Sequence, residues 1–347
     1  VDIAGDLVRY YLNIASEEGQ QEWLHDWTAQ GGYEKQNISF SWKDSSGSSN
    51  YTVFFADNEN FENAFIVKTS KKAVDGVGIF VPGKTYYWRV LDGNGNASTV
   101  DTFKTINSPV RWISAGTVYN MRDIGGWTTE DGKSINYGLI YRGGQLSLDF
   151  TTEKSYMNDY SYKVFDYLGI RTEIELRGDA SHDIAQFNDY APCISVNGAN
   201  YDGIFSMDDA TKAQYRAVFT SLANIDNYPI YFHCSWGADR TGSLALMING
   251  VLGVPYSQLA TDYELTSFSY SGKRERDKFG SSIAFKGMYN RILDDYGIAG
   301  GSFSDAMEKY LVEYIGVKAE EISALKSIML GSAVQSMQTN AVTFMTD

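Results

Sequence analysis

One decapeptide narrows the folds open to this chain more than any other stretch: His233-Cys234-Ser235-Trp236-Gly237-Ala238-Asp239-Arg240-Thr241-Gly242. Before it, Tyr228 to Phe232 is short, apolar and rich in strand formers. After it, Ser243 to Leu252 is long enough, and rich enough in Ala, Leu and Met, to be a buried helix. A strand that turns through such a loop into a helix is a unit of an α/β sheet. The helix N-terminus it creates presents unpaired backbone N–H groups and the positive end of a dipole, which together favour an anion such as a phosphoryl group.

The same field favours a thiolate over a thiol, so Cys234 is expected to have a depressed pKa and to be nucleophilic near neutral pH. Arg240 follows six residues later. A loop curled over an anion brings that arginine back beside the cysteine, where its planar fork can bind two oxygens. Gly237 permits the curl. A cysteine and an arginine at this spacing mean little in isolation; here the strand, the helix, the glycine and the Thr-Gly that follows all agree.

With those residues in place, the loop resembles the signature of the cysteine-dependent protein tyrosine phosphatase superfamily, in the branch with the pattern His-Cys-x-x-Gly-x-Asp-Arg-Thr-Gly. Bacterial tyrosine and phosphoinositide phosphatases similar to a secreted mycobacterial enzyme share it. Asn120 to Gly126, Tyr141-Arg142, Ile174 to Arg177 and Asp262 to Thr266 resemble further family blocks in family order, so the likeness covers roughly residues 108–332.

The resemblance implies a phosphomonoester hydrolase of tyrosine or dual specificity, working through a phosphocysteine intermediate with no metal and no cofactor. Such a reaction needs a nucleophile, an oxyanion clamp, an acid for the leaving oxygen and a base for water. Cys234 would be the nucleophile, and Ser235, Trp236, Gly237, Ala238, Asp239 and Arg240 the phosphate-binding loop. Thr241 would set its hydroxyl on the sulfur and ease release of phosphate, with His233 and Arg177 in support. The acid stays open. Asp239 ranks first, because it needs no assumption about distant loops; Glu175 stands where the family usually has an aspartate, and Asp179 and Asp202 are lesser choices. Where the branch often has a lysine this chain has Ala238, which favours a singly phosphorylated substrate such as phosphotyrosine over a phosphoinositide or inositol phosphate. A catalytically weak phosphate-binding or adhesion module is the reading from a different class.

At 347 residues with a formal net charge of −14, the chain is long enough for two domains and too acidic to bind nucleic acid or an anionic membrane in bulk. No apolar run reaches the roughly eighteen residues a membrane-spanning helix needs. Of the two cysteines, Cys193 is expected to be a small buried hydrophobe, since a disulfide to Cys234 would disable the enzyme. The chain starts at Val1 without a signal peptide, so a processed or truncated N-terminus is expected, and the resemblance points to a secreted or cell-surface bacterial protein.

Along the chain, residues 1 to 35 read as a lead-in of moderate helicity. From Asn37 to Thr105 short alternating runs, Val77 to Val81 among them, read as an antiparallel sandwich, and Pro82 to Thr105 resembles the last strands of a fibronectin type III domain. The expected fold is therefore α/β: a catalytic domain over 108–347 with a central, mostly parallel sheet flanked by helices, preceded over 1–107 by the lead-in and an all-β sandwich. Within the catalytic part, Arg122-Asp123 reads as an ion pair fixing a turn and Asp131-Gly132 as a hairpin. Helices are expected over 152–168, stopped by Gly169; over 207–222, capped by Ser206; and over 256–268, 282–296, 302–315 and 318–330. Lys273 to Lys278 reads as a solvated mixed-charge turn, or else as a contact for a second anionic group. The tail beyond Gly331 carries no signal.

Overall fold

A computed structural model describes residues 1–27, 31–32, 38–146, 157–178, 192–277, 284–332 and 341–346. At its centre lies a five-stranded sheet ordered Cys193–Ser195, Thr172–Glu175, Ile230–His233, Ile140–Gly143, Arg122–Asp123. The first four strands are parallel and the last closes the edge antiparallel. Ile230 is in register with both Thr172 and Ile140, so Ile230–His233 occupies the middle and is buried on both faces. That is why its sequence is a continuous rather than an alternating run.

The helix Asp239–Val251 follows it, and every residue from Thr241 to Val251 is buried. A helix apolar all round has to be buried all round, which is what its Ala, Leu, Met and Ile content requires. Asp159–Leu168, Asp209–Leu222, Tyr256–Glu264, Phe285–Tyr296, Phe303–Lys309 and Ala319–Leu330 surround the sheet. Gly169 ends the first of these at φ 66°, as its sequence indicated. The cap of Asp209–Leu222 is Asp208 instead of Ser206, its carboxylate accepting from the Thr211 amide at 2.7 Å. A charged oxygen two residues further along takes the role the serine was expected to fill.

The N-terminal β region is one full layer and part of another. Phe65–Thr69, Tyr51–Ala56, Thr85–Asp92 and Asp101–Lys104 form an antiparallel sheet, and Val342–Thr346, from the other end of the chain, adds a parallel edge strand beside Phe65–Thr69. Opposite, among the described residues, stands a short ladder of Phe40–Ser41 with Ala73–Val74. Val77 to Val81, expected as a strand, forms none. The helices Asp6–Leu12 and Glu17–Asp26 pack elsewhere: Val8, Tyr11 and Leu24 join the core that holds the central helix. A second core joins Phe55, Val67 and Val90 to Tyr141, Phe165 and Tyr231 on the far face of the parallel sheet. The change at residue 108 is thus a change of sheet rather than a break in packing.

Arg122 and Asp123 do not pair with each other. Their side chains lie on opposite faces of a strand, so Arg122 reaches Asp262 at 3.1 Å while Asp123 pairs with Arg111 at 2.9 Å. The Arg111–Asp123 pair is fully buried, and Arg111 also donates to the carbonyls of Ile79 and Phe80, tying the β region to the parallel sheet. Asp123 further accepts from the amides of Gly125 and Gly138. Asp123→Ala leaves a buried guanidinium without its counter-ion and is expected to cost about 3–5 kcal/mol, read from urea unfolding. A loss below about 1 kcal/mol would show that the site admits water.

Candidate active site

Ile230–His233 delivers Cys234 to the carboxyl edge of the sheet, and the chain turns into the helix at Asp239. The turn passes Gly237 at φ 62°, where a Cβ would lie 2.4 Å from the carbonyl carbon and oxygen of Gly143. Only glycine fits.

Three successive carbonyls of the loop are pulled outward. Ser235 accepts from the Tyr119 hydroxyl (2.9 Å) and the Gln145 amide (3.2 Å). Trp236 accepts from Asn120 Nδ2 (3.1 Å) and Ser271 Oγ (2.6 Å), and Gly237 from Asn120 Nδ2 (3.0 Å) and Arg142 Nη2 (3.0 Å). In a planar trans peptide the N–H points opposite to the C=O. The amides of Trp236, Gly237 and Ala238 therefore turn inward, and those of Gly237 and Ala238 meet no protein acceptor among the described residues. Inward amides at a helix N-terminus form an anion cradle.

The pulling groups are themselves fixed. Asn120, buried and at φ 57°, receives Arg122 Nη1 on its Oδ1 at 2.6 Å. Asp262 then pairs with both Arg122 (3.1 Å) and Arg142 (2.5 Å). Burial alone would raise the Asp262 pKa, but Arg142 and then Arg122 outweigh it and hold the group below the ordinary carboxylate range.

Cys234 is 3% exposed at the floor of the cradle. Burial pushes its thiol up, yet the Thr241 hydroxyl and amide, the Arg240 guanidinium and the Trp236 amide outweigh that and bring the pKa below the usual thiol value. The Thr241 hydroxyl falls short of a well-aligned hydrogen bond, so it acts on the sulfur as a dipole. Arg240 is half-buried and donates to the Leu176 carbonyl at 3.3 Å; no carboxylate pairs with it among the described residues. One anchor leaves the rest of its fork for an anion.

Below the loop sits a buried charge network. His233 Nε2 meets Glu173 Oε1 at 2.8 Å and Glu175 Oε2 at 3.7 Å. Burial lowers the imidazole pKa, but Glu175 and Glu173 reverse the sign and raise it. Glu175 is wholly buried, both oxygens held by Arg177 at 2.6–2.9 Å, so in this arrangement it does not line the cradle. Glu173, Glu175 and His233 bring ligand atoms within 4.8 Å of one another, a spacing that could hold a metal. Each of the three is already engaged, and the adjacent Arg177 cation opposes another positive charge.

Asp239 opens the helix with both oxygens occupied: Arg274 Nε and Nη2 at 2.7 and 3.0 Å, and the Tyr201 hydroxyl at 2.5 Å, which also meets the Tyr263 hydroxyl at 2.5 Å. Asp202 is exposed on the 3₁₀ turn Tyr201–Phe205, and Asp179 lies outside the described residues. The run from Lys273 is not a solvated turn. Arg274 and Arg276 are buried, the latter fully and paired with Glu264, because each has a carboxylate waiting in the core; Lys278 lies outside the described residues. Cys193, expected to be buried, is half-buried on an edge strand. Ala238 is buried, and Trp236, 52% exposed, stands at the rim beside Tyr119.

The roles of Asn120, Arg142, Asp262 and Ser271 were not visible from sequence. The first three lie in blocks that resembled family motifs, which signalled importance without a task; Ser271 gave no signal.

A thiol, inward-turned amides and a tethered arginine thus meet at the carboxyl edge of a parallel sheet. Residues 113–331 match the tyrosine phosphatase family, and the chain belongs to it. A tyrosine-protein phosphatase of Nostoc commune is 28% identical over 138 residues, covering 35% of this chain and 46% of that protein. A Cupriavidus necator protein bearing a tyrosine-protein phosphatase name is 24% identical over 177 residues, covering 44% of this chain and 61% of that protein. The chain thus spans about half to three-fifths of the length of these relatives.

The two cysteines give a direct test of the field in the loop. Cys234 has its pKa lowered, whereas Cys193 has its raised by burial and by Glu173 and Glu175. At pH 7 iodoacetate is therefore expected to label Cys234 and spare Cys193, with mass spectrometry of the digest as readout. Equal labelling would mean the cradle does not stabilise a thiolate.

Proposed function

We propose that this chain is a cysteine-dependent phosphomonoester phosphatase acting on phosphotyrosine. The carrying observation is the set of outward-held carbonyls, which leaves amides and Arg240 facing the place where the Cys234 sulfur sits. In the first step the thiolate attacks phosphorus, the bond to the leaving oxygen breaks, and that oxygen takes a proton from Asp239. In the second, water attacks the phosphocysteine, its proton returns to Asp239, the P–S bond breaks and inorganic phosphate departs. The cradle amides and the Arg240 fork are donors fixed in advance where negative charge spreads over the phosphoryl oxygens. Thr241 supports the departing thiolate, and His233, between Glu173 and Glu175, holds the loop from beneath. Arg177 immobilises Glu175.

Asp239 is preferred to Glu175 as the proton-transfer group because it is partly exposed at the cradle, whereas Glu175 is sealed under it. The exposed Trp236 ring at the rim suits an aryl ester. A headgroup bearing several phosphates calls for several free cations; the cation next to the loop, Arg274, is already paired with Asp239. That favours a single phosphate over a phosphoinositide or inositol phosphate. Residues 1–107 serve in this reading as a scaffold.

Cys234→Ser is expected to abolish turnover of phosphotyrosine peptides while still binding vanadate, and Arg240→Lys to lose about a hundredfold or more, since an ammonium cannot make the bidentate contact. Chelation by EDTA should change nothing. Substantial turnover by Cys234→Ser, or activity restored only by a divalent metal, would overturn the covalent mechanism; vanadate binding with no turnover by the unaltered chain would favour a phosphate-binding module.

A further inference from the structure

We infer that Arg274 is a positioning residue of the reaction: it aims the Asp239 carboxyl at the leaving oxygen, and the N-terminal helices hold it in place to do so. This rests on the reading of Asp239 given above. The loop from Ser269 to Asp277 is two-sided. On its inner side Ser271 Oγ holds the Trp236 carbonyl outward at 2.6 Å and Arg274 clamps Asp239 through two nitrogens. On its outer side Lys273 Nζ donates to the His25 carbonyl at 2.5 Å, Glu275 meets His25 Nδ1 at 2.9 Å, and Arg276 Nη2 donates to Gln20 Oε1 at 3.0 Å. One short loop thus bonds the helix Glu17–Asp26 through Lys273, Glu275 and Arg276 and the Cys234 loop through Ser271 and Arg274.

The clamp is built rather than incidental. Arg274 is 8% exposed, and its Nη1 donates to the carbonyl of Lys273 at 3.0 Å, so the guanidinium plane is fixed before it meets Asp239. Trp23 stacks on both Trp27 and Phe268, Trp27 meets Phe268 at a tilt, Phe268 closes the turn just before the loop, and Tyr11 bonds Glu264, the partner of Arg276. Among the described residues, the charged and titratable groups facing Asp239 are Arg274, Tyr201 and Tyr263, with Arg240 next in the chain. Among the described residues, only Arg274 grips both carboxyl oxygens. Fixing the carboxyl within hydrogen-bond reach of the leaving oxygen converts proton transfer into a pre-oriented step, and effective concentrations from such orientation are large. The sign of the effect on removing Arg274 tests that account.

The test compares Asp239→Asn, Arg274→Gln, Arg274→Lys and the double variant Asp239→Asn/Arg274→Gln, each on phosphotyrosine and on p-nitrophenyl phosphate, with thermal melting to confirm folding. The nitrophenolate leaves without help; the tyrosyl oxygen does not. Arg274→Gln is expected to lose about ten- to a hundredfold in kcat on phosphotyrosine with little change in KM, and far less on the nitrophenyl ester. Arg274→Lys should recover part of that, and the double variant should be no slower than Asp239→Asn alone, since two residues acting as a unit are not additive. Equal loss on both substrates by Arg274→Gln, full additivity in the double variant, or faster phosphotyrosine turnover without Arg274 would overturn the inference. If Asp239→Asn itself slows both substrates equally, the assignment of the acid has failed, and this role for Arg274 with it. Should Arg274→Gln not fold, the Arg274→Lys variant on the two substrates decides alone.

Discussion

The site depends on the direction of three peptide planes. A loop of bare backbone has no reason to turn all its amides to one side, because each inward N–H would otherwise seek an acceptor. Here the opposite ends of those peptides are satisfied from outside, by Tyr119, Asn120, Arg142 and Ser271, so the inward orientation costs little when the cradle is empty. The orienting groups come from three separate regions of the chain. Asp262 links two of them, since it fixes Arg142 directly and Asn120 through Arg122. A buried carboxylate without its arginines would be expensive; with two of them it is a junction on which the geometry of the loop converges.

Beneath the loop the charges balance in the same way. Glu173 and Glu175 on one strand face His233 on the next and Arg177 at the strand's end, two acids against two bases in a dry interior. Such a network is a weak argument for stability and a better one for a single arrangement of the strand end. It also explains why Glu175 read as a candidate acid from sequence: its position beside Leu176-Arg177 is right, but its longer side chain folds back onto Arg177 instead of projecting into the cleft.

Local signals carried the sequence reading where a single stretch determined the outcome. The strand before Cys234, the buried helix after it, the Gly169 stop and the hairpin at Asp131-Gly132, where the Thr129 amide bonds the Lys133 carbonyl, are all set by neighbours a few residues away. What escaped was set by residues distant in the chain. Val342–Thr346 has no local mark of being a strand beside Phe65–Thr69; it is one because that edge was open. Lys273 to Asp277 looks solvated because charge is usually solvated, and nothing nearby says that Asp239 and Glu264 wait to bury two of its arginines. The Arg122-Asp123 pair misleads for the simplest reason, that adjacent residues on a strand face apart.

The charge of the whole chain sharpens the role of the local one. With a formal net charge of −14, the long-range field repels a phosphate dianion, so attraction has to come from the cradle alone. At physiological salt the Debye length is about 8 Å, and distant carboxylates on the surface are largely screened at the loop. Within that radius the balance is reversed: inward amides, the helix N-terminus and Arg240 face the anion, while Asp239, Glu173 and Glu175 are each neutralised by Arg274, His233 or Arg177. Among the described residues, the pairing of Glu173, Glu175 and Asp239 keeps those carboxylates from opposing an anion at the loop. It also explains why an acidic chain buries Arg274 where its sequence suggested a solvated turn: that charge offsets Asp239 beside the loop, while no carboxylate pairs with Arg240 among the described residues.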